Sequence, residues 1–412
     1  MHKVAAGLHR RVGRVLAPCA AILLSCLAAS APAEEASLRV QTGLGYDTNP
    51  FLTPASYFDP ILGRKVQTEK HPGVFVPVSL RAATGAAVGG AGYLLDLRLS
   101  GEKYLSRPTR NADNYQAVLD LEGQYRLKKV GRHWARLRLS PSLAFNREIF
   151  VDPDTGEKET STGVDLADRF NYWRASFQAD LEAPLTARTE LDLRASAARY
   201  DYEEIGGVSS LDNVYYTVGA AYEVELLDSL GVRLGYTFGA RNYDERPARD
   251  RNGDLVAGEE RRYFYHEVRA QAEHRLSSAL RLRAAYARRQ RIDRFVGYDD
   301  NTRNEYRLTT TYADKEERRF RVGLTYWDRR YPRAFIFDVT PAEVAAGALP
   351  AGVAFTPRHK AYKVWEAEAA GEFPLTDRVK AWVSYTFEDE DVRDPRFEYE
   401  RHRVSSGLKA TF

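Results

Sequence analysis

From Leu38 to Phe412 the chain repeats one pattern, in which apolar and polar residues alternate over runs of about 12 to 16 positions separated by turn-forming clusters. Between Trp134 and Asn146, the residues Leu137, Leu139, Leu143 and Phe145 share one face, and Arg136, Arg138, Ser140 and Ser142 share the other. Near the end, Val379, Ala381, Val383, Tyr385 and Phe387 alternate with Lys380, Trp382, Ser384, Thr386 and Glu388. A period of two is the strand period, because successive side chains of a strand point to opposite faces. Strands of a soluble sandwich average about six residues. Runs twice that long suit a tilted strand that crosses a bilayer. The pattern therefore predicts an all-β fold, a transmembrane antiparallel barrel of the outer membrane.

Sixteen strands are expected, at 38–49, 71–82, 91–104, 113–126, 133–147, 170–183, 188–202, 211–226, 230–243, 261–276, 279–292, 302–313, 319–332, 359–373, 377–389 and 398–412. Their connections alternate without exception. Short ones lie near Gly89-Gly90, Lys128 to Gly131, Pro184-Leu185-Thr186, Asp228-Ser229, Ser277-Ser278, Asp314-Lys315-Glu316 and Pro374-Leu375-Thr376. Longer ones cover roughly 50–70, 105–112, 148–169, 203–210, 244–260, 293–301, 333–358 and 390–397. Seven short and eight long connections are what sixteen strands give when both termini lie in the periplasm, with the short turns beside them and the long loops outside. No linker divides the chain, so residues 34–412 are expected to form one barrel. No plug domain is expected, and a short helix is a candidate for the Ala- and Gly-rich stretch Pro341 to Gly352.

The first residues fit a secretory leader. Lys3, Arg10, Arg11 and Arg14 form a basic start, Val15 to Ala29 is apolar, and Ala31-Pro32-Ala33 suits cleavage before Glu34. Leu23-Leu24-Ser25-Cys26 has some of the look of a lipoprotein box, but Leu24 fits it poorly and Cys26 sits inside the apolar run. Removing residues 1–33 alters the charge balance. The full chain has 60 Lys+Arg against 57 Asp+Glu, and the leader carries four basic and no acidic residues, leaving 56 against 57, a net of −1. The pI of 8.6 thus gives no footing to a nucleic-acid reading. Both cysteines, Cys19 and Cys26, leave with the leader, and a cysteine-free mature chain implies neither disulfides nor thiol chemistry. A mean hydropathy of −0.48 excludes a helical membrane protein but suits a barrel with a polar lumen.

The last strand carries a further mark. Ser405-x-Gly407-x-x-Ala410-x-Phe412 resembles the C-terminal signal by which outer-membrane barrels are recognised for insertion. Aromatics cluster where strands approach the long loops: Tyr104, Tyr115, Tyr172, Trp173, Tyr200, Tyr243, Tyr263, Tyr265, Tyr326 and Trp327. Amphipathic rings prefer the headgroup level, so they are expected to form the outer girdle.

Sixteen strands spaced ~4.7 Å apart and tilted ~40° close a barrel roughly 30 Å across, wide enough for an aqueous lumen. Parity assigns its lining. Asp120 and Glu122 come from the fourth strand, Arg136 and Arg138 from the fifth, and Asp180 and Glu182 from the sixth. The eighth offers Glu223 and Glu225, the ninth Arg233 and Arg241, and the eleventh Arg281, Arg283 and Arg289, beside Glu267, Arg269, Glu273 and Arg275 of the tenth. Acidic and basic strands neighbour one another, which favours cross-strand pairs. Two readings of that wall stand: a solvated surface held by salt bridges, or a charge-lined passage for an anionic solute or polymer. The many carboxylates weigh against strong anion selectivity, which needs a ladder of one sign.

No catalytic set emerges. His266, His274 and His402 fall on the apolar face, His133 sits at a short turn, and His71 and His359 begin strands, none beside a credible nucleophile or carboxylate. The acidic connection from Glu148 to Arg169 holds the position of the inward-folding loop of general sixteen-stranded porins, a resemblance of position only. Within it, Asp152 to Glu157 has calcium-loop flavour, but its Gly is one place early and the distal Glu is missing, so a turn is expected there and at Asp250-Arg251-Asn252-Gly253-Asp254. No metal site or cofactor is implied.

One family-like motif opens the barrel. Gly45-Tyr46-Asp47-Thr48-Asn49-Pro50-Phe51 resembles the Tyr-Asp-Ser-Asn start of an outer-membrane β-barrel porin family, some members of which accompany exopolysaccharide secretion, with Thr48 in place of the usual Ser. Asp47 and Asn49 are expected to cap backbone groups where the first strand turns into its loop. The expected function is a passive outer-membrane conduit, either for small solutes or as the outer-membrane component of polysaccharide export. The rival is a non-conducting structural barrel closed by salt bridges and loops. Expected partners are outer-membrane lipid and lipopolysaccharide, the barrel-assembly machinery and, on the resemblance, polysaccharide-export proteins.

Overall fold

A computed structural model describes residues 35–59, 62–88, 90–130, 133–152, 158–161, 163–338, 344, 347 and 356–412. The expected leader, residues 1–33, and most of the stretch proposed for a loop helix lie outside the described residues. The barrel strands are β1 (Glu35–Asp47), β2 (Gly73–Val88), β3 (Ala91–Tyr104), β4 (Asn114–Val130), β5 (His133–Glu148), β6 (Tyr172–Pro184), β7 (Thr189–Tyr202) and β8 (Asn213–Leu227). They continue as β9 (Leu230–Arg249), β10 (Leu255–Arg275), β11 (Leu280–Asp293), β12 (Asn301–Ala313), β13 (Arg319–Phe335), β14 (His359–Pro374), β15 (Val379–Val392) and β16 (Tyr399–Thr411). Each pairs antiparallel with its sequence neighbours, and β16 pairs with β1, so a single closed barrel of sixteen strands results. Closure removes the sheet edges that an open sheet would leave unpaired.

Termini and short turns share one end. Local chemistry makes these turns tight. Pro184 and Pro374 each end a strand before Leu-Thr, and the Thr186 and Thr376 hydroxyls accept from the backbone N–H groups of Arg188 (3.1 Å) and Val379 (3.1 Å). Asp314 does the same work between β12 and β13, accepting from the N–H groups of Glu316 (3.0 Å) and Arg318 (2.9 Å). The long connections lie at the other end, with one departure from expectation. The stretch 244–260 is not an open loop: β9 and β10 run on past the wall as a hairpin to Arg249 and Leu255, with register shifts on either side of Pro247. The turn itself is as expected, since Asp250 Oδ1 accepts from the N–H groups of Asn252 (2.8 Å) and Asp254 (3.0 Å), with Gly253 at φ +96°. Pro247 and the Asp-Gly cluster disguised the hairpin, because both read as strand breakers.

Ion pairs that skip a strand show which face is concave. Arg233 on β9 reaches Asp192 on β7 past β8 at 2.5 Å, and Lys409 on β16 reaches Glu372 on β14 past β15 at 2.6 Å. Arg403 on β16 meets Glu102 on β3 at 2.5 Å, past both β1 and β2. With neighbouring strands about 4.8 Å apart, such reaches close only where side chains converge, on the inside. The opposite face is apolar and exposed, with Leu44, Val78, Leu121, Phe177, Val218, Leu234, Val268, Val322 and Leu408 among its residues. A closed barrel with an apolar exterior satisfies every backbone group internally while facing hydrocarbon, so this chain spans an outer membrane.

On that exterior, Tyr286, Tyr306, Tyr326 and Trp365 stand in direct register on β11 to β14, with ring centroids 5.1, 6.2 and 4.6 Å apart. Two residues nearer the long loops, the same register places Arg288, Asn304, Asp328, Lys363 and Asp391. The switch from rings to polar and charged side chains marks the outer edge of the membrane.

Candidate pore

The seam between β1 and β16 is held by the family-like motif. Asp47 is fully buried and accepts from Arg401 (Nη2 at 2.5 Å), from the Tyr104 hydroxyl (2.8 Å) and from the Asn49 N–H (2.9 Å), while Arg403 Nε lies at 3.2 Å. Asn49, equally buried, donates to the Thr53 and Glu400 carbonyls (3.0 and 3.2 Å) and accepts from the Thr53 N–H (2.8 Å). Thr48 exchanges with His402 across the seam, its hydroxyl accepting from that backbone N–H at 2.8 Å. Gly45 is required here, since a Cβ on it would fall 2.3 Å from the Phe75 ring, which in turn packs on Tyr104 and beneath the Arg403 guanidinium. The motif is thus a structural lock, with both carboxylate and amide used up internally.

Of the C-terminal residues singled out, Ser405 bonds Ser384 at 2.8 Å, and Gly407 lies where any Cβ would sit 2.0 Å from the Thr42 carbonyl oxygen. Phe412 exchanges backbone hydrogen bonds with Leu38 (2.8 and 3.0 Å), its ring exposed on the apolar side, and Ala410 lies in register with Val40. These contacts close the barrel.

The inner wall near the short turns is a lattice of opposite charges. Arg138 pairs with Glu182, Arg194 with Asp180 at 2.5 Å, and Arg233 with both Asp192 and Glu223 (2.5 and 3.2 Å). Arg281 and Arg283 share Glu273 (3.3 and 2.5 Å), and Arg289 meets Glu267 at 2.5 Å. Register alone does not dictate partners. Arg138 stands across from Asp180, and Arg136 across from Glu182, yet the pair formed is the diagonal one. On β3 and β4 the like-charged Asp96 and Asp120 face each other directly, and Arg98 bridges them. Glu122 lines a cavity of about 530 Å³ with Asp120, Arg98 and Ser142, and Glu225 stands opposite Gly231 beside a turn. A second cavity of about 450 Å³ lies among Arg138, Glu182, Asp192, Arg233 and Arg269.

Nearer the long loops the wall changes character. Tyr104, Tyr172, Tyr200, Tyr243, Tyr263, Tyr265 and Trp327, expected in the outer girdle, share the parity of the inward charges and face the interior. Tyr104, Tyr243, Tyr263 and Trp327 are buried there. Only Tyr115, Trp173 and Tyr326 of that group face outward. Height along a strand was read correctly, but height does not choose a face. The signal that could have chosen it was present: Tyr263 and Tyr265 are an even number of residues from Glu267. Arginines stack on these rings, with Arg241 Cζ at 4.9 Å from the Tyr215 centroid, Arg291 at 4.5 Å from Tyr263 and Arg303 at 4.2 Å from Trp327. Among the described residues, Arg174 and Arg241 form no ion pair, and each has a buried Nε without a partner.

The histidines of the apolar face are hydrogen-bonded there, His266 to the Tyr236 hydroxyl (2.7 Å) and His402 to that of Tyr385 (2.8 Å). The connection after β5 folds back on itself through Phe150 N–H to the Ala167 carbonyl (2.7 Å) and an edge-on Phe150–Phe170 contact. Residues 153–157, the core of the calcium-like stretch, lie outside the described residues. Among the described residues, no group of three or more His, Cys, Asp or Glu is placed to hold a metal ion.

No protein family and no curated protein matches the sequence. Among solved structures the chain is similar to an anion-selective porin from Comamonas acidovorans (12% identity over 92% of this chain and 99% of that one, TM-score 0.42). It is also similar to the outer-membrane channel DcaP of Acinetobacter baumannii (11%, 92% and 96%, 0.43) and to a bacterial polysaccharide outer membrane secretin (8%, 93% and 99%, 0.40). At such identities and scores the likeness carries no argument, and the closed sixteen-stranded architecture stands on the strand pairing itself.

Proposed function

We propose that this barrel is a passive outer-membrane conduit for small hydrophilic solutes. The supporting observation is the combination of sixteen strands with a polar interior, rich in charge near the short turns, that opens into wall cavities of about 450 and 530 Å³. Barrels of this strand number leave an aqueous channel, whereas smaller ones are filled by their own side chains. The salt-bridge lattice is compatible with an open lumen, because its pairs join strands one to three places apart along the wall and, among the described residues, none crosses to the opposite side. Alternation of sign along it argues for weak ion preference in that zone. Proteoliposome swelling tests the reading: vesicles holding the purified barrel should swell in small neutral sugars, at rates that fall with solute size. Rates equal to protein-free vesicles would support the closed, structural barrel instead.

Polysaccharide export is the second reading. It is favoured by the inward tyrosines Tyr172, Tyr200 and Tyr202, whose mutually packed rings (centroids 5.2 to 6.4 Å apart) offer faces on which sugar rings stack. Loss of polymer from the medium, with polymer retained in the periplasm of a deletion strain, separates it from the first.

A further inference from the structure

Near the long loops, the inner wall holds a cavity of about 240 Å³ whose composition differs from the rest of the lumen. Arg246, Arg261, Arg291 and Lys360 supply four cations, and Asp299 the one carboxylate, while Tyr243, Tyr263, Tyr331 and Tyr362 supply the rings. Asp299 is already engaged: it accepts from the Tyr263 hydroxyl at 2.6 Å and lies 3.6 Å from Arg261 and 3.8 Å from Arg291. Its backbone carbonyl also takes two bonds from Arg291, at 2.9 and 2.6 Å. These contacts fix Arg261 and Arg291 in place. They leave the surplus positive charge around Arg246, which among the described residues has no ion pair and only rests on Tyr243, at 5.3 Å from the ring centroid. One more cation stands near from the neighbouring loop, since burial and the nearness of Arg246 both hold the Arg169 guanidinium below its ordinary value. The charge lattice near the short turns pairs its arginines with carboxylates, and this cavity holds more cations than its one carboxylate can match.

Resting on the conduit reading, we infer that this cavity is a recognition site for a sugar acid, a single pyranose ring that carries a carboxylate. Tyrosine faces suit a sugar ring, and their hydroxyls suit its hydroxyls. The Arg246 guanidinium, which has no carboxylate partner among the described residues, suits the acid group, in charge-assisted bonds roughly twice as strong as neutral ones. The size agrees, for the cavity falls just below the range of about 300 Å³ upward that holds drug-sized ligands. Placed at the mouth, the site would concentrate acidic sugars over neutral ones before they reach the charge-balanced wall below.

Calorimetric titration of the detergent-refolded barrel with D-glucuronate, D-glucose and acetate tests this. Glucuronate should bind saturably and at least tenfold more tightly than either comparison, one lacking the acid and the other the ring. Arg246→Ala should weaken glucuronate about tenfold, the effect of losing one charge-assisted contact. Lys360→Ala should act in the same direction and covers the case that the first variant fails to fold. Arg330→Ala, on the outer face with a side chain 78% exposed, should leave affinity unchanged. No saturable binding, equal binding of glucose, or unaltered affinity in both pocket variants would overturn the inference. The same preparation in planar bilayers keeps the two readings apart. Current steps without glucuronate binding leave the conduit standing and remove the site, whereas binding without steps removes the conduit and leaves the site.

Discussion

The carboxylate of Asp47 at the end of β1 holds the guanidinium of Arg401 on β16 at 2.5 Å, a contact between residues 354 positions apart that closes the barrel at its outer rim. Asp47 is fully buried, and Arg403 and Tyr104 converge on the same oxygens. Asp47→Ala should therefore strand the Arg401 guanidinium, while Arg403 keeps Glu102, at a cost of about 3–5 kcal/mol for a broken buried pair. The expected result is a lower unfolding midpoint in urea and a lower temperature for loss of the compact band on gels. Asp47→Asn, which keeps an acceptor, should cost less. A midpoint unchanged in Asp47→Ala would show that the seam is held by backbone pairing alone.

Gly45 and Gly407 should tolerate no side chain. A Cβ on Gly45 meets the Phe75 ring at 2.3 Å, and one on Gly407 meets the Thr42 carbonyl oxygen at 2.0 Å. Overpacking of this kind typically costs about 1–3 kcal/mol. Gly407→Val, which meets backbone rather than a movable ring, should be the worse of the two, with a reduced yield of folded barrel from lipid vesicles.

The C-terminal ring should matter to assembly more than to the finished barrel. Phe412 contributes two backbone hydrogen bonds to Leu38 and an exposed ring. Deleting it should lower the amount of barrel that reaches the outer membrane in cells, while protein refolded in detergent keeps its stability to within about 1 kcal/mol. Equal surface levels of both proteins would remove Phe412 from any insertion signal.

Parity in β5 can be read directly. In cysteine variants at Leu137 and Arg138, membrane-permeant lipid-side reagents should label only position 137 and water-soluble ones only position 138. The reverse pattern would mean that the strand is slipped by one residue, since a slip of one exchanges faces.

Much of this architecture was legible because a barrel writes its faces into alternate residues. Strand number, closure and the alternation of turn and loop follow from that period. So does the capping use of Asp47 and Asn49, whose short side chains precede a Pro where the chain must turn. Three things were not legible. The hairpin of β9 and β10 past the wall hid behind Pro247 and Gly253, whose turn chemistry outweighed the pairing around them. Partner choice within the charge lattice, such as Arg138 with Glu182 rather than Asp180, depends on side-chain reach, which spacing does not encode. The tyrosines were assigned by height and not by face, so the Tyr–Arg zone around Arg241 and the pocket at Arg246 went unseen. A ring near the loops suits a membrane surface and a lumen wall equally, and only the parity of Tyr263 with Glu267 distinguishes them.

The conduit itself is tested most directly by single-channel recording, with the refolded wild-type barrel added to a planar bilayer in potassium chloride. The expected result is discrete, reproducible current steps whose size scales with salt concentration, and whose reversal potential under a salt gradient shifts when Glu182→Ala releases Arg138 from its partner. Folded barrel that inserts yet gives no steps at any voltage would contradict the account, and would make this a closed barrel whose charges serve only to hold its wall together.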